Sequence, residues 1–301
     1  MKVLQATIEY NAESTLGEGP VWDAAIQKLY WVDIKAMMVY RYDPNTKTQE
    51  SWKMDQMVGC IVPVDNDAIV CALQDRLITL NTNSGKQSSL IAIEADLPEN
   101  RCNDGKADAE GRFWIGSLNI PGEKSKANLY SVDKNLNVIK AVSDLGMSNG
   151  LGWSPDYKFM YLNDTVEKQV LKFDFSLTDG KLSNRQILLD LKDADGSPDG
   201  MCVDADGNLW IAFYGGKRVD CYDPVSRQIL ATVQVPAINV TCCTFGGPAL
   251  DTLFITTARD GQSDEDLKNF PGSGSIFRVK PGVKGMATNR FRRGVTLQFP
   301  E

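Results

Sequence analysis

The sequence predicts an all-β protein: a six-bladed β-propeller with four-stranded blades, formed as a single domain over residues 1–301. Two observations predict it. One short phrase recurs at nearly even spacing through the whole chain, and each copy is followed by further apolar runs separated by turn residues. Repeats of this length, each holding about four strands, are the signature of propeller blades. A chain of 301 residues also suits one large all-β domain.

The phrase is plainest in "PDGMCVDADGNLWIAF" (Pro198 to Phe213) and "CNDGKADAEGRFWIGS" (Cys102 to Ser117). Counting from the residue five places before the Asp of "CVD" and "KAD", the same frame starts at Glu18, Cys60, Asn103, Asn149, Asp199 and Thr241. Successive starts are 42, 43, 46, 50 and 42 residues apart.

Blade one reads "EGPVWD", "KLYWVD", "VYRYDP" and "TQESW"; blade two reads "CIVPVD", "AIVCAL", "RLITLN" and "SLIAI". Blade three continues with "NDGKAD", "RFWIGS", "NLYSVD" and "NVIKAV", and blade four with "NGLGWS", "FMYLND", "VLKFDF" and "RQILLDL". Blade five is "DGMCVD", "NLWIAF", "RVDCYD" and "QILATVQV". Partial alternation, β-branched and aromatic enrichment, and Gly, Pro, Asn and Asp between the runs are strand and turn signals. Blade six has "TCCTFG", "TLFITT" and "SIFRVK" but no obvious fourth strand. The N-terminal "KVLQATIEY" has no unit of its own, so it is expected to complete that blade and close the ring, with the C-terminal "GVTLQF" as competitor. The acidic turns "DAEG" and "DADG" do not fit a calcium loop, because Lys106, Cys202 and Phe213 would fall at ligand positions. They read as hairpin turns with Gly in the left-handed position.

A formal net charge of −7 with no offsetting basic cluster argues against nucleic-acid and anionic-membrane partners. "RFRR" at Arg290 to Arg293 is expected to be a solvated tail. No apolar run has the length of a membrane span and "MKVLQATIEY" lacks the apolar core of a signal peptide, so a cytoplasmic location is expected. Seven cysteines without a CxxC fit buried thiols in a reducing compartment. Asn163 and Asn239 match a glycosylation pattern that has no force without secretion. The chain has no histidine, which removes Ser-His-Asp and Cys-His catalysis and His-ligated zinc together. "GMSNG" at Gly146 to Gly150 fits a nucleophile-elbow pattern, but no imidazole exists to activate Ser148.

In a propeller the innermost strands line a central channel, so the six frame starts are expected to form a ring at one mouth. Glu18 and Asp199 would bring two carboxylates together there with two amides, Asn103 and Asn149, and no Lys or Arg in the ring. Such a cluster in a partly desolvated funnel calls for a cation or a proton. Mixed carboxylate and amide oxygens suit a hard divalent ion, the amides adding donors without charge. Arg101, two residues before Asn103, is placed to bind a substrate oxygen.

At these residues the sequence resembles the family of senescence marker protein, gluconolactonase and luciferin-regenerating enzyme, which includes regucalcin. The resemblance covers essentially the whole chain. It is carried by "LGEGPVW" at Leu16, "RCNDGKADAEGRFWIG" at Arg101, "SNGLGWSPD" at Ser148, "PDGMCVDADGNLWIA" at Pro198 and "VTCCTFGGPALDTLFITTAR" at Val240. The last of these, with "GSGSIFRVKPGVKG" from Gly272, looks most like the bacterial sugar lactonases. The resemblance implies one divalent cation (calcium, zinc, manganese, magnesium or iron) held by Glu18, Asn149 and Asp199. It implies substrate contacts from Arg101 and Asn103 and a general base at Asp199. Some relatives carry an acidic substrate contact in the loop after the second strand of blade three. Here that loop is "SLNIPGEKSKAN", with Pro121 at the matching count and Asn119 or Glu123 as stand-ins. Cys60 and Thr241 are expected to shape the pocket.

The expected reaction is hydrolysis of an aldonic acid lactone to the open-chain sugar acid in sugar catabolism, with Asp199 or the cation itself activating water. A calcium-binding regulatory protein of regucalcin type is the alternative from a different class. A metal-dependent esterase or phosphotriesterase is the enzymatic one. The expected partner is a small sugar lactone, and the expected state a monomer or weak homo-oligomer.

Overall fold

The computed structural model describes residues 1–294 and is a six-bladed β-propeller. Blade one holds strands Gly17–Asp23, Lys28–Asp33, Met38–Asp43 and Thr48–Lys53 in simple meander order, and the next three blades repeat that order through residue 190. The inner strands Gly17–Asp23, Val58–Pro63, Asn100–Ala107, Ser148–Trp153, Ser197–Val203 and Asn239–Gly246 adjoin in sequence, and the sixth returns against the first. They and their second strands are buried almost throughout, while the outermost strands show the alternating exposure of a sheet with one wet face.

The N-terminal segment closes the ring, and it does more than one job. Thr7–Tyr10 pairs antiparallel with Ile276–Val279 as the fourth strand of blade six. Lys2–Gln5 instead adds a fifth, parallel strand to blade five against Ile229–Gln234. The switch falls at buried Ala6, whose N–H donates to Gln234 O at 2.9 Å. The rival segment "GVTLQF" begins at Gly294 and otherwise lies outside the described residues.

The repeated Asp of the phrase has a structural use. Asp108, fully buried, accepts from the Glu110 and Arg112 amides (both 3.0 Å), from Arg112 Nε (2.7 Å) and from the indole Nε1 of Trp114 (2.8 Å). Asp204 in blade five does the same for the Asp206 and Asn208 amides and for Trp210 Nε1 (2.9 Å). One carboxylate therefore ties each hairpin turn to the core tryptophan of the following strand. Gly111 (φ +79°) and Gly207 (φ +91°) take the left-handed turn position, where a side chain would be strained.

The C-terminal segment is not the solvated tail expected of "RFRR". Residues 284–294 run across the face opposite the phrase starts, bonding to blade five through Ala205 N to Lys284 O (2.8 Å). They continue to blade two through Phe291 N to Pro63 O (2.9 Å) and to blade three through Arg292 N to Gly111 O (3.0 Å). Phe291 is 1 % exposed and packs on Phe113, and Arg290 pairs with Asp23 of blade one. Charge alone misleads here because the buried ring sits between the arginines. Met286, Ala287, Thr288 and Asn289 line a mostly apolar cavity of about 660 Å³, counting the solvent at its mouth, at that end of the channel.

All seven cysteines are buried and free. Asn163 and Asn239 are also buried, so neither is open to glycosylation. No helix among the described residues is long and apolar enough to cross a membrane.

Candidate functional site

Every inner strand carries a bulge at the start of the repeated frame. In blade four Ser148 pairs with Asp164 and Leu151 with Leu162, so Asn149 and Gly150 together face Asn163. In blade five Asp199 and Gly200 likewise face Ala212, and in blade three Asn103 and Asp104 face Gly116. Such two-against-one bulges bend the strand and re-aim the side chain. The glycines are required: a Cβ on Gly150 would stand 2.4 Å from Met201 N, and one on Gly200 2.2 Å from Cys242 Sγ. In blade one the extra residues are Gly19, at φ +51°, and Pro20, immediately after Glu18.

Glu18, Arg101, Asn103, Asn149 and Asp199 line one cavity of about 670 Å³, counting the solvent at its mouth. Leu16, Ile34, Leu118, Met147, Thr165, Ser197, Tyr214 and Asp260 complete its wall. Cys60 and Thr241 are not on that wall. Cys60 is packed in the core beneath blades two and three, and the Thr241 hydroxyl donates to Gly17 O at 2.6 Å, fixing the backbone beside Glu18. Asn119 and Glu123 are not brought to the cavity either. Asn119 Nδ2 donates to Asn100 Oδ1 (3.0 Å) and its Oδ1 accepts the Glu123 amide (3.0 Å), while the Glu123 side chain points outward near Lys126. On that side the wall is Leu118.

The polar groups are held by a dense set of hydrogen bonds. Glu18 Oε2 accepts the Gly19 amide at 2.8 Å. Asn149 Nδ2 donates to Asp199 Oδ1 and, at 3.1 Å, to Thr165 Oγ1. The Thr165 hydroxyl in turn donates to Pro198 O at 2.7 Å, which leaves it only an acceptor role toward Asn149. The Asn149 oxygen therefore points away from Thr165 and accepts the Gly150 amide at 3.2 Å. Asn163 Nδ2 donates to Asp199 O at 2.6 Å. Arg101 Nη1 donates to Asn103 Oδ1 and Cys102 O, both at 2.9 Å, and Asn103 Nδ2 donates to Ser148 O at 3.0 Å.

Two carboxylates at equivalent places support the approach to Glu18 and Asn149. Asp33 accepts the Thr15 and Leu16 amides at 2.7 and 3.1 Å, and Asp164 accepts the Gly146 and Met147 amides at 2.9 and 3.1 Å. Sequence reasoning passed over both. Their signal was present as the matching final Asp of "KLYWVD" and "FMYLND".

The electrostatics leave negative charge in excess. Burial, then Asp199 and Asp104, push the Glu18 carboxyl well above the usual range, against the Gly19 amide and Arg101. Burial and Asp104 push Asp199 up in the same way, against the Asn149 hydrogen bond and Arg101. Neither carboxylate is in an ion pair with another described residue. Asp104, deeper in the channel, is also raised by burial, with Lys106 opposing. Three buried carboxylates thus face two cations, Arg101 and Lys106. Among the described residues no three acids, thiols or imidazoles meet at one point, so the third donor here is the Asn149 amide. Two carboxylates and an amide oxygen, short of positive charge, fit a hard divalent cation.

Comparisons with known proteins identify the family. The family model described as SMP-30/Gluconolactonase/LRE-like region matches residues 16–259. Regucalcin of Xenopus laevis is 36 % identical over 282 residues, covering 92 % of this chain and 94 % of that protein. The Bacillus subtilis protein YvrE, whose name assigns it sugar lactone lactonase activity provisionally, is 33 % identical over 280 residues, with 92 % and 95 % covered. The crystal structure of a calcium-binding protein, regucalcin, from Agrobacterium tumefaciens superposes with a TM-score of 0.93 at 26 % identity, covering 97 % of this chain and 99 % of that one. With a family model matched over residues 16–259 and a relative 36 % identical over nearly the whole chain, this chain belongs to the SMP-30/gluconolactonase/LRE-like family.

Proposed function

We propose that this protein is a cation-dependent hydrolase that opens the ring ester of an aldonic acid lactone, giving the free sugar acid. The observation that carries the reading is the convergence of buried Glu18, Asp199 and Asn149 beside Arg101 and Asn103 in one cavity. The provisional lactonase name of the Bacillus subtilis relative supports the substrate class.

Glu18, Asn149 and Asp199 would hold the cation through their side-chain oxygens. When bound, it would supply Lewis-acid polarisation of the lactone carbonyl. Asp199 would serve as the general base, taking one proton from the attacking water as the oxygen bonds to the carbonyl carbon. Arg101 has Nη2 and Nε free of the hydrogen bonds that occupy Nη1, and these would be the donors offered to the developing oxyanion. The ring C–O bond then breaks and the departing oxygen takes the proton from Asp199, leaving a carboxylic acid and a hydroxyl on one open chain. Asn103, anchored on Ser148 O, fixes the Arg101 guanidinium. The low exposure of all five side chains keeps bulk water from competing. The protein would act in the cytoplasm on a small molecule, as a monomer or weak homo-oligomer.

The test is acid release from a panel of five- and six-carbon aldonolactones by metal-stripped protein, adding cations singly and subtracting spontaneous opening. Fast opening restored by one cation supports the reading, and no acceleration by any cation defeats it. A regulatory calcium-binding role is the second reading, supported by the likeness to the calcium-binding regucalcin of Agrobacterium tumefaciens. It expects tight calcium binding with no acceleration.

A further inference from the structure

The repeat frame places a second tier of side chains directly above the carboxylates. Two residues before each frame start stand Leu16, Val58, Arg101, Met147, Ser197 and Asn239. Four of these line the cavity: Leu16, Arg101, Met147 and Ser197. Val58 is packed in the core, and the Asn239 amide is taken by Asp260 O at 2.9 Å.

Leu16 leads into the first strand of blade one and is bridged to Ala258 of blade six, and Met147 leads into that of blade four and is bridged to Leu118 of blade three. In a ring of six blades adjoining in order, Leu16 and Met147 are diametrically opposite. Each is half-buried, and each is backed by a second apolar side chain on the same wall. Ile34 N donates to Leu16 O at 3.0 Å, and Leu118 is bridged to Met147. The charged and hydroxyl groups of the tier, Arg101 and Ser197, come from blades three and five, on either side of the Met147 jaw. The cavity above Glu18 and Asp199 therefore sets Leu16 with Ile34 at one end of a diameter and Met147 with Leu118 at the other, with Arg101, Ser197, Thr165, Tyr214 and Asp260 on the rest of the wall.

We propose that Leu16 and Met147 are the jaws of a ring clamp that grips the two faces of a cyclic substrate and leaves its oxygen-bearing edge to Arg101 and Ser197. This deepens the lactonase reading and rests on it for the identity of the ring. A sugar lactone ring carries C–H groups on its faces and most of its oxygens around its edge, which matches that division. An open-chain polyol turns hydroxyls in every direction, so one or more would be pressed unpaired against a jaw, which is costly. The clamp thus selects ring over chain. It also loosens its hold on the product when the ring opens, so Leu16 and Met147 determine specificity and product release without touching the reacting atoms.

Binding can be read without hydrolysis. Isothermal titration of the protein in calcium with 1,5-anhydroglucitol, a six-carbon ring with no ester, is compared with glucitol, its open-chain counterpart. The ring is expected to bind at least about ten-fold tighter, or about 1.4 kcal/mol. Met147→Ser and Leu16→Ser should each erase the preference, and Met147→Leu should keep it. Calcium affinity and melting temperature should stay near wild type in Leu16→Ser, whose side chain is bonded to none of the proposed cation ligands, which separates a lost jaw from a damaged site. Equal binding of ring and chain by the wild type overturns the clamp. So does a preference that survives Met147→Ser, or no detectable binding of the ring at tens of millimolar. Ring preference without hydrolysis of any lactone would leave the clamp standing and reject the lactonase reading alone.

Discussion

Replacing Asp199 by Asn should make the cation-free protein more stable at neutral pH, and the gain should grow with pH. Asp199 and Glu18 both have carboxyls pushed above the usual range by burial and by neighbouring negative charge. A carboxyl raised in the folded chain keeps its proton over a pH range in which the unfolded chain has lost it. Its contribution favours folding at low pH and is withdrawn as pH rises from the ordinary carboxylate value toward the raised one. One such group changes stability by at most about 1.4 kcal/mol per pH unit. In a domain of this size that ceiling is about 3 °C in melting temperature for each pH unit crossed, at about 2 °C per kcal/mol. The assay is thermal unfolding in chelator from about pH 4.5 to pH 7.5, wild type beside Asp199→Asn, so that the many surface acids cancel in the difference. The two curves should diverge as pH rises, the variant melting higher. Calcium should remove the divergence by stabilising the wild type alone. Parallel curves in chelator would refute the claim that this carboxylate is buried without enough positive charge.

Thr165→Val keeps the shape of the side chain but deletes the bonds to Pro198 O and Asn149 Nδ2. Calcium affinity measured by titration calorimetry should fall about ten-fold, the size of one hydrogen bond left unmade, and unchanged affinity would count against the orienting role. Phe291→Ala empties a fully enclosed site against Phe113. It should lower unfolding free energy in urea by about 3–5 kcal/mol, and a loss under about 1 kcal/mol would mean that the C-terminal strap does not hold the face it covers.

The blades and the channel-mouth ring were legible because both follow from periodicity. A frame that repeats in sequence repeats in space when each unit is one blade, so Glu18, Asn103, Asn149 and Asp199 could be brought together on paper. The same logic overreached at Cys60 and Thr241, because a shared register fixes where a Cα lies and not which side chains are long or polar enough to reach the axis. The division of "KVLQATIEY" at Ala6 left no trace in the pattern, since either half is an ordinary strand and edge choice depends on tertiary fit. The strap was illegible for a different reason. It pairs irregularly with several blades, so no period marks it, and Phe291 between arginines reads as polar surface. Thr165, Asp33 and Asp164 act through backbone amides and another side chain, and such partners appear only once the chain is folded.

The strap over the far end of the channel makes the axis a blind well. Met286 to Asn289 stopper the end away from Glu18 and Asp199, and Phe291 pins the stopper in place. Whatever reaches those carboxylates enters and leaves by one door. Traffic through a single door is ordered: an ion must be seated before a larger guest stands over it, and it cannot leave until that guest has gone. Under the proposed lactonase reading, a product lingering at the door would also shut out the next substrate, so its inhibition would be of the competitive kind, and release would set the pace whenever opening the ring is fast.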